Sequence, residues 1–189
     1  LNITCYEYLK QAYEKNGDFP AAITYGHKVK LSTLMSHIDN LAAYFVAHGL
    51  REGDVYTVFL PTCIHSFVAF YALSKIGAIA NIVHPLTSPE SLAEIMKFTG
   101  SKGIMMLDLL TPDYVEMLNE AKLPCIICST SDYVGLVKAP AIKVYESVKS
   151  HKIVELRCKT TTYKFAVLKG SWKKAETIKY GGAKTAVYL

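Results

Sequence analysis

A chain of 189 residues, 51% of them hydrophobic and with a mean hydropathy of +0.19, has enough apolar surface to bury a core and too much to stay disordered. No window has the run of uncharged apolar residues that a membrane span needs, and Leu1 to Lys15 shows no basic stretch leading into an apolar one. A soluble chain without an export signal is therefore expected. The net charge of +5 is uneven: from Ser131 onward twelve Lys and Arg face four Asp and Glu, a balance of +8, against −3 for the first 130 residues.

A basic tail of this kind suits either a phosphate-bearing partner or a plain solvated face. The lysines lack Arg clusters and interleaved aromatics, which favours the solvated face and argues against nucleic acid. The five cysteines are odd in number and scattered, which argues against a disulfide framework and for a reducing, cytoplasmic setting. Two of them lie in the apolar run Cys125-Ile126-Ile127-Cys128. A strand's period of two puts residues three apart on opposite faces, so this pair reads as core packing rather than a redox or zinc site.

In chain order, an amphipathic helix from about Tyr6 to Lys15 ends at Asn16-Gly17. Two short extended runs, Ala21 to Tyr25 and Lys28 to Lys30, flank Gly26-His27 and read as a hairpin. Leu31, Leu34, Met35, Ile38, Leu41, Ala42 and Phe45 recur at helical spacing, with Gly49 as the residue that ends the helix. Val55 to Leu60 is apolar save for Thr57, Pro61-Thr62 offers a break and an N-cap, and Ile64 to Ile76 is apolar nearly all round, as a helix buried on most sides would be. Ala78 to Val83 is the next strand. Ser88-Pro89-Glu90 is a strong helix start, because Ser caps, Pro has the fixed φ of a first helical residue, and Glu meets the positive end of the dipole. Gly100 closes that helix, Gly103 to Leu107 and Pro124 to Ser129 repeat the strand, and a helix from about Asp113 to Ala121 separates them. Strands that are continuously apolar and recur at the length of a βα unit predict an α/β fold, with a mostly parallel sheet flanked by helices. Beyond Ser131 the pattern weakens to a short amphipathic stretch, Tyr145 to Lys149, a Thr- and Lys-rich region, and the punctuation of Gly181-Gly182. A final strand is expected over Lys184 to Leu189.

Catalytic patterns are missing. There is no GxGxxG, no Walker-type phosphate loop, no HExxH and no GxSxG. His27, His37, His48, His65, His84 and His151 are scattered, and no spacing supplies them with the converging partners of a triad or metal site. His48, beside Gly49, is explained by a helix C-terminus. Asp108 with Asp113 and Glu90 with Glu94 read as surface carboxylates. Met105-Met106 and Phe67, Phe70 and Tyr71 read as core filling rather than an acyl-binding wall. Residue types and spacing alone thus assign no catalytic, cofactor-binding or metal residue.

The order of segments is more specific. Leu50-Arg51-Glu52-Gly53-Asp54-Val55 is followed by Phe59-Leu60-Pro61-Thr62-Cys63, by Phe67 to Ala80, and by His84-Pro85-Leu86-Thr87-Ser88-Pro89-Glu90-Ser91-Leu92. This succession resembles the N-terminal part of the AMP-binding, adenylate-forming enzymes: acyl-CoA synthetases, luciferases and nonribosomal peptide adenylation domains. Lys30 to Leu34 with Asp39 to Ala42 resembles the family's first core motif, Leu73 to Pro85 its second, and Ala183 to Leu189 the strand that opens its third. Two departures are His84, where Asn is frequent, and Thr33, where an acidic residue is common.

The resemblance implies an acid–thiol ligase as the parent protein. Such an enzyme joins a carboxylic acid, here a fatty or aromatic one, to ATP with release of pyrophosphate, and then passes the acyl group to coenzyme A. ATP, Mg2+ and coenzyme A are the cofactors implied for the parent. The family's Ser/Thr/Gly-rich loop ending in Lys, its magnesium Glu, its ribose Asp and the Lys of its small C-terminal domain have no counterpart here. Residues 1–189 would then be the N-terminal portion of the AMP-binding large domain, with the catalytic remainder and the C-terminal domain absent. Such a fragment is expected to be inactive alone, to bind no cofactor, and, with a face left bare, to be prone to form a homodimer. The alternative is a complete, non-catalytic α/β binding module whose basic tail meets an anionic partner.

Overall fold

The computed structural model describes residues 3–134, 155–173, 175–176 and 186–188. The stretch Tyr145 to Lys149, Gly181-Gly182 and His151 lie outside the described residues. Helix α1, Cys5–Asn16, starts at a capping box in which the Thr4 hydroxyl accepts from the Glu7 N–H and the Glu7 carboxylate accepts from the Thr4 N–H. Strands β1, Pro20–Thr24, and β2, His27–Lys30, pair antiparallel as the expected hairpin. Helix α2, Leu31–Ala47, is capped by His48, and Gly49 follows at φ 95°, a backbone angle that favours glycine.

The alternating part of the chain gives β3, Val55–Phe59; α3, Ile64–Ile76; β4, Ile79–Ile82; α4, Pro89–Thr99; β5, Ile104–Leu107; α5, Val115–Ala121; and β6, Cys125–Cys128. Strand β7, Thr160–Thr162, leads into α6, Tyr163–Gly170, and β8, Val187–Tyr188, is the last described strand. All strand pairs in this sheet are parallel, in the order β7-β6-β5-β3-β4-β8. The final strand joins the sheet as expected: Ala80 pairs with Val187 and Asn81 with Tyr188.

Two helix layers cover the sheet, which is why its central strands β3, β5 and β6 are apolar save for Thr57. Val58, Met105, Ile126 and Cys128 face α2, α3 and α6, whereas Phe59, Ile104, Met106 and Cys125 face α4 and α5. Met105 and Met106 are thus buried on opposite sides, and Cys125 and Cys128 are separated by the sheet, as the strand period requires. The polar exception in β3 is satisfied: the Thr57 hydroxyl lies 2.7 Å from Ser101 Oγ and accepts from the Asn81 amide at 3.0 Å.

Helix starts differ from expectation in two places. Ser88 caps α4 as predicted, accepting from the Ser91 N–H, and Gly100 ends it in the left-handed region. Helix α3, however, is capped by Cys63 and not by Thr62. The Cys63 sulfur accepts from the Ser66 N–H, while Ser66 Oγ accepts from the Cys63 N–H at 3.1 Å. The helix expected from Asp113 begins instead as a 3-10 turn, Thr111–Tyr114, before α5 proper.

Candidate functional site

Parallel α/β sheets present the ends of their strands and the starts of their helices at one edge, and ligands bind there. At this carboxyl edge the structure brings together side chains that are far apart in sequence. Cys63 caps α3 and His65 sits on its first turn. Asp132 and Tyr133 come from a 3-10 turn, Thr130–Tyr133, which directly follows β6. Tyr163 and Lys164 open α6, and His37 projects from α2. Beside them lies a cavity of about 350 Å³, bordered by Cys63, His65, Thr130, Tyr133 and, from the hairpin, Tyr25.

His65 is the centre of the group. Its Nε2 lies 3.0 Å from Asp132 Oδ2, with side chains only 5% and 8% exposed, and its Nδ1 lies 3.9 Å from Cys63 Sγ. The edge of its ring meets Tyr163 at 4.7 Å and Tyr133 at 5.1 Å between centroids. Asp132 Oδ2 also accepts from the Ser129 N–H at 3.0 Å, and Oδ1 is 3.6 Å from Lys164 Nζ. Tyr133 and Tyr163 hydrogen-bond through their hydroxyls, and His37 Nδ1 is 2.8 Å from the Tyr133 hydroxyl.

The electrostatics follow from this packing. Burial disfavours a charged His65, but the Asp132 carboxylate and the Cys63 sulfur outweigh it and raise the imidazole pKa above its ordinary value. Burial likewise raises the Cys63 thiol, yet the His65 ring and the backbone N–H groups of Ser66 and His65 bring it below the usual cysteine value. His37 is shifted down by burial and by the nearby His65. Burial pushes both the Tyr133 and the Tyr163 hydroxyl up. A thiol, a base beside it and a carboxylate orienting the base form the arrangement that makes a sulfur nucleophilic.

Several single residues were placed correctly from sequence. His48 caps α2, with its Nδ1 donating to the Tyr44 carbonyl at 2.8 Å and its ring stacked on Tyr44 at 3.9 Å. Glu90, Glu94 and Asp113 are exposed. Asp108 is not a plain surface group: it is half-buried at the end of β5, and burial raises its pKa although the Ser129 side chain and the Leu109 N–H oppose the shift. His65 and His37, scattered in sequence, are brought together here, and the convergence of Cys63, His65 and Asp132 is not evident from their spacing. A Cys-x-His across a strand-to-helix junction was the available signal. Among the described residues no group of three or more His, Cys, Asp or Glu is arranged to hold a metal ion.

Two other cavities frame the sheet. One of about 450 Å³ lies at the opposite, amino edge, bordered by Tyr44, His48, Lys102 and Lys159. Another, of about 570 Å³, lies at the carboxyl edge near β4 and β8, bordered by Asn81, His84, Thr87, Phe98 and Tyr188.

An open parallel sheet with helices on both faces and cavities at its carboxyl edge defines an α/β ligand-binding scaffold. The chain belongs to the AMP-binding enzyme family, whose model matches residues 9–176. It is 26% identical over 151 residues to the long-chain-fatty-acid–CoA ligase of Bacillus subtilis (strain 168), a match covering 79% of this chain and 27% of that protein. It is 32% identical over 114 residues to the acetyl-coenzyme A synthetase of Syntrophobacter fumaroxidans, covering 57% and 17%. Its fold superposes on a benzoate CoA ligase from Burkholderia xenovorans LB400 with a TM-score of 0.70 at 13% identity, covering 99% of this chain and 32% of that one. The chain therefore spans about a quarter of the length of the fatty-acid ligase it matches, and less of the acetyl-coenzyme A synthetase.

Proposed function

We propose that this chain is the N-terminal portion of the large domain of an ATP-dependent carboxylic acid:CoA ligase. In the complete reaction a carboxylate oxygen attacks the α-phosphorus of ATP and pyrophosphate leaves. The thiol of coenzyme A then displaces AMP from the acyl-adenylate. The polyphosphate needs backbone N–H groups and cations around it, and Mg2+ would help neutralise the charge. No residue described here is assigned to those roles, which fall to the catalytic remainder and the small C-terminal domain. The contribution of residues 1–189 is the scaffold: a rigid sheet whose carboxyl edge forms one wall of the site.

The observation that carries this reading is the placement of β8. It runs parallel to β4, so its C-terminal end points to the same edge as the ends of β3, β4, β5 and β6, beside the cavity bordered by His84 and Tyr188. That is where a phosphate loop following β8 would have to emerge. Family membership and relatives named for long-chain fatty acids, acetate and benzoate support a carboxylic acid as substrate. Within that class we favour a fatty or aromatic acid. Five unpaired cysteines suit a reducing cytoplasm, and no helix among the described residues is long and apolar enough to cross a membrane.

ATP–pyrophosphate exchange with a panel of aliphatic and aromatic acids tests the proposal on two proteins, this chain and the full open reading frame that contains it. The expected result is exchange by the longer protein and none by residues 1–189. Exchange by the short chain would overturn the fragment reading. A longer protein that exchanges with no acid would overturn the ligase reading.

A further inference from the structure

The Cys63, His65 and Asp132 group is used by nothing in the adenylation chemistry above. We propose that Cys63 is a modification site, a thiolate that exchanges with small-molecule disulfides at the cavity on the carboxyl edge. Four observations support it together. Cys63 is unpaired and half-buried, and it borders a cavity of about 350 Å³ that has room for a small adduct. Its sulfur is the N-cap of a 13-residue helix, where the Ser66 N–H and the positive end of the dipole favour an anion. His65 Nδ1 stands 3.9 Å away, ready to hold the proton that the thiol gives up. The buried Asp132 carboxylate, 3.0 Å from Nε2, fixes the ring in that orientation.

In the exchange, the Cys63 sulfur attacks one sulfur of the disulfide. A bond forms between them, the original sulfur–sulfur bond breaks, and the other half leaves as a thiolate that can take the proton from His65. The remaining thiols provide contrast within one molecule. Cys125, Cys128 and Cys158 are buried with thiols pushed up by burial, and Cys5 is exposed on α1 without this arrangement. The other charged and titratable groups around the site are Asp108 at the end of β5, Cys128 on β6, Tyr133 beyond it, Tyr163 and Lys164 on α6, His37 on α2 and Tyr25 of the hairpin. Lys164 Nζ lies 3.6 Å from Asp132 Oδ1, on the side of the carboxylate away from His65.

Oxidised glutathione is the probe, applied to the 189-residue chain with adducts at each cysteine counted by peptide mass spectrometry. At about pH 7, Cys63 is expected to react about tenfold faster than Cys5, and the ratio of their rates should rise as the pH is lowered from about 9.5 to about 7, through the range in which ordinary thiols lose their charge. His65→Gln and Asp132→Asn, each checked by circular dichroism for a folded chain, should reduce the Cys63 rate severalfold and leave Cys5 unchanged. A Cys63 rate no higher than that of Cys5, or a ratio flat with pH, overturns the proposal without need of any variant. Folded variants that leave the Cys63 rate intact overturn the role given to the pair.

Discussion

Replacing Asp132 with asparagine keeps the shape of the side chain and removes its charge. Oδ2 accepts from His65 Nε2 and from the Ser129 N–H, both at 3.0 Å, and the single carbonyl oxygen of an asparagine can serve both. The amide then turns toward Lys164, which is 58% exposed and can swing into water at a cost below about 1 kcal/mol. What disappears is the anion beside an imidazole that is only 5% exposed. When His65 is neutral it still donates to the amide oxygen, and the loss is about 1 kcal/mol of charge assistance. When His65 is protonated, an uncompensated cation is buried, at a cost of about 3 kcal/mol. The folded-state pKa of His65 lies above its ordinary 6.5, so the stabilisation from the pair is complete below that value and fades as pH rises through the folded one. Urea unfolding followed by far-UV circular dichroism should therefore show a larger loss for Asp132→Asn at about pH 5.5 than at about pH 8. Equal losses at the two pH values, or none at either, would refute the assignment of a charged buried pair.

Other substitutions probe the rest of the molecule. His37 behaves in the opposite sense to His65: its pKa is lowered on folding, so the stability it allows is present above the ordinary 6.5 and lost as pH falls through the folded value. His37→Gln, which can still meet the Tyr133 hydroxyl, should flatten the acid side of a melting-temperature profile, and parallel profiles would contradict this. A Cβ added at Gly170 would lie 1.7 Å from the Asn40 carbonyl oxygen, a backbone atom of α2 that cannot rotate away. Gly170→Ala should thus force α6 off α2 and cost about 1–3 kcal/mol in denaturant unfolding, and a neutral result would mean the two helices are not so close. Leu92, fully buried between α4 and the sheet, should cost about 2–5 kcal/mol when cut to alanine, against less than about 0.5 kcal/mol for Phe98→Ala on the same helix, where the ring is 94% exposed. Similar losses at the two positions would mean that α4 packs by another face.

The sheet and its helix layers were legible because burial on both faces leaves a one-dimensional trace, an unbroken apolar run between turn residues, as in Val55–Phe59 and Ile104–Leu107. The opposite placement of Cys125 and Cys128 followed from the strand period alone. Cap chemistry was legible where the residue is a common N-cap, as at Ser88, and failed at Cys63, where sulfur takes the acceptor role more often filled by oxygen. The candidate site could not be read for a different reason. His65 and Asp132 belong to different βα units, and only the parallel stacking of β3, β5 and β6 sets the start of α3 beside the turn after β6. Neighbouring residues in sequence carry no record of that adjacency.

Strand β8 also sets a timetable. The pairs within β3, β4, β5 and β6 join segments one or two βα units apart, whereas Ala80 must wait for Val187. Closing so long a loop is slow, and on a chain made from its N-terminus that partner is still unmade when β4 has left the ribosome. During that interval β4 is an open sheet edge. Its short length and the inward hydrogen bond from Asn81 to Thr57 then limit what a stray strand could gain by docking there first.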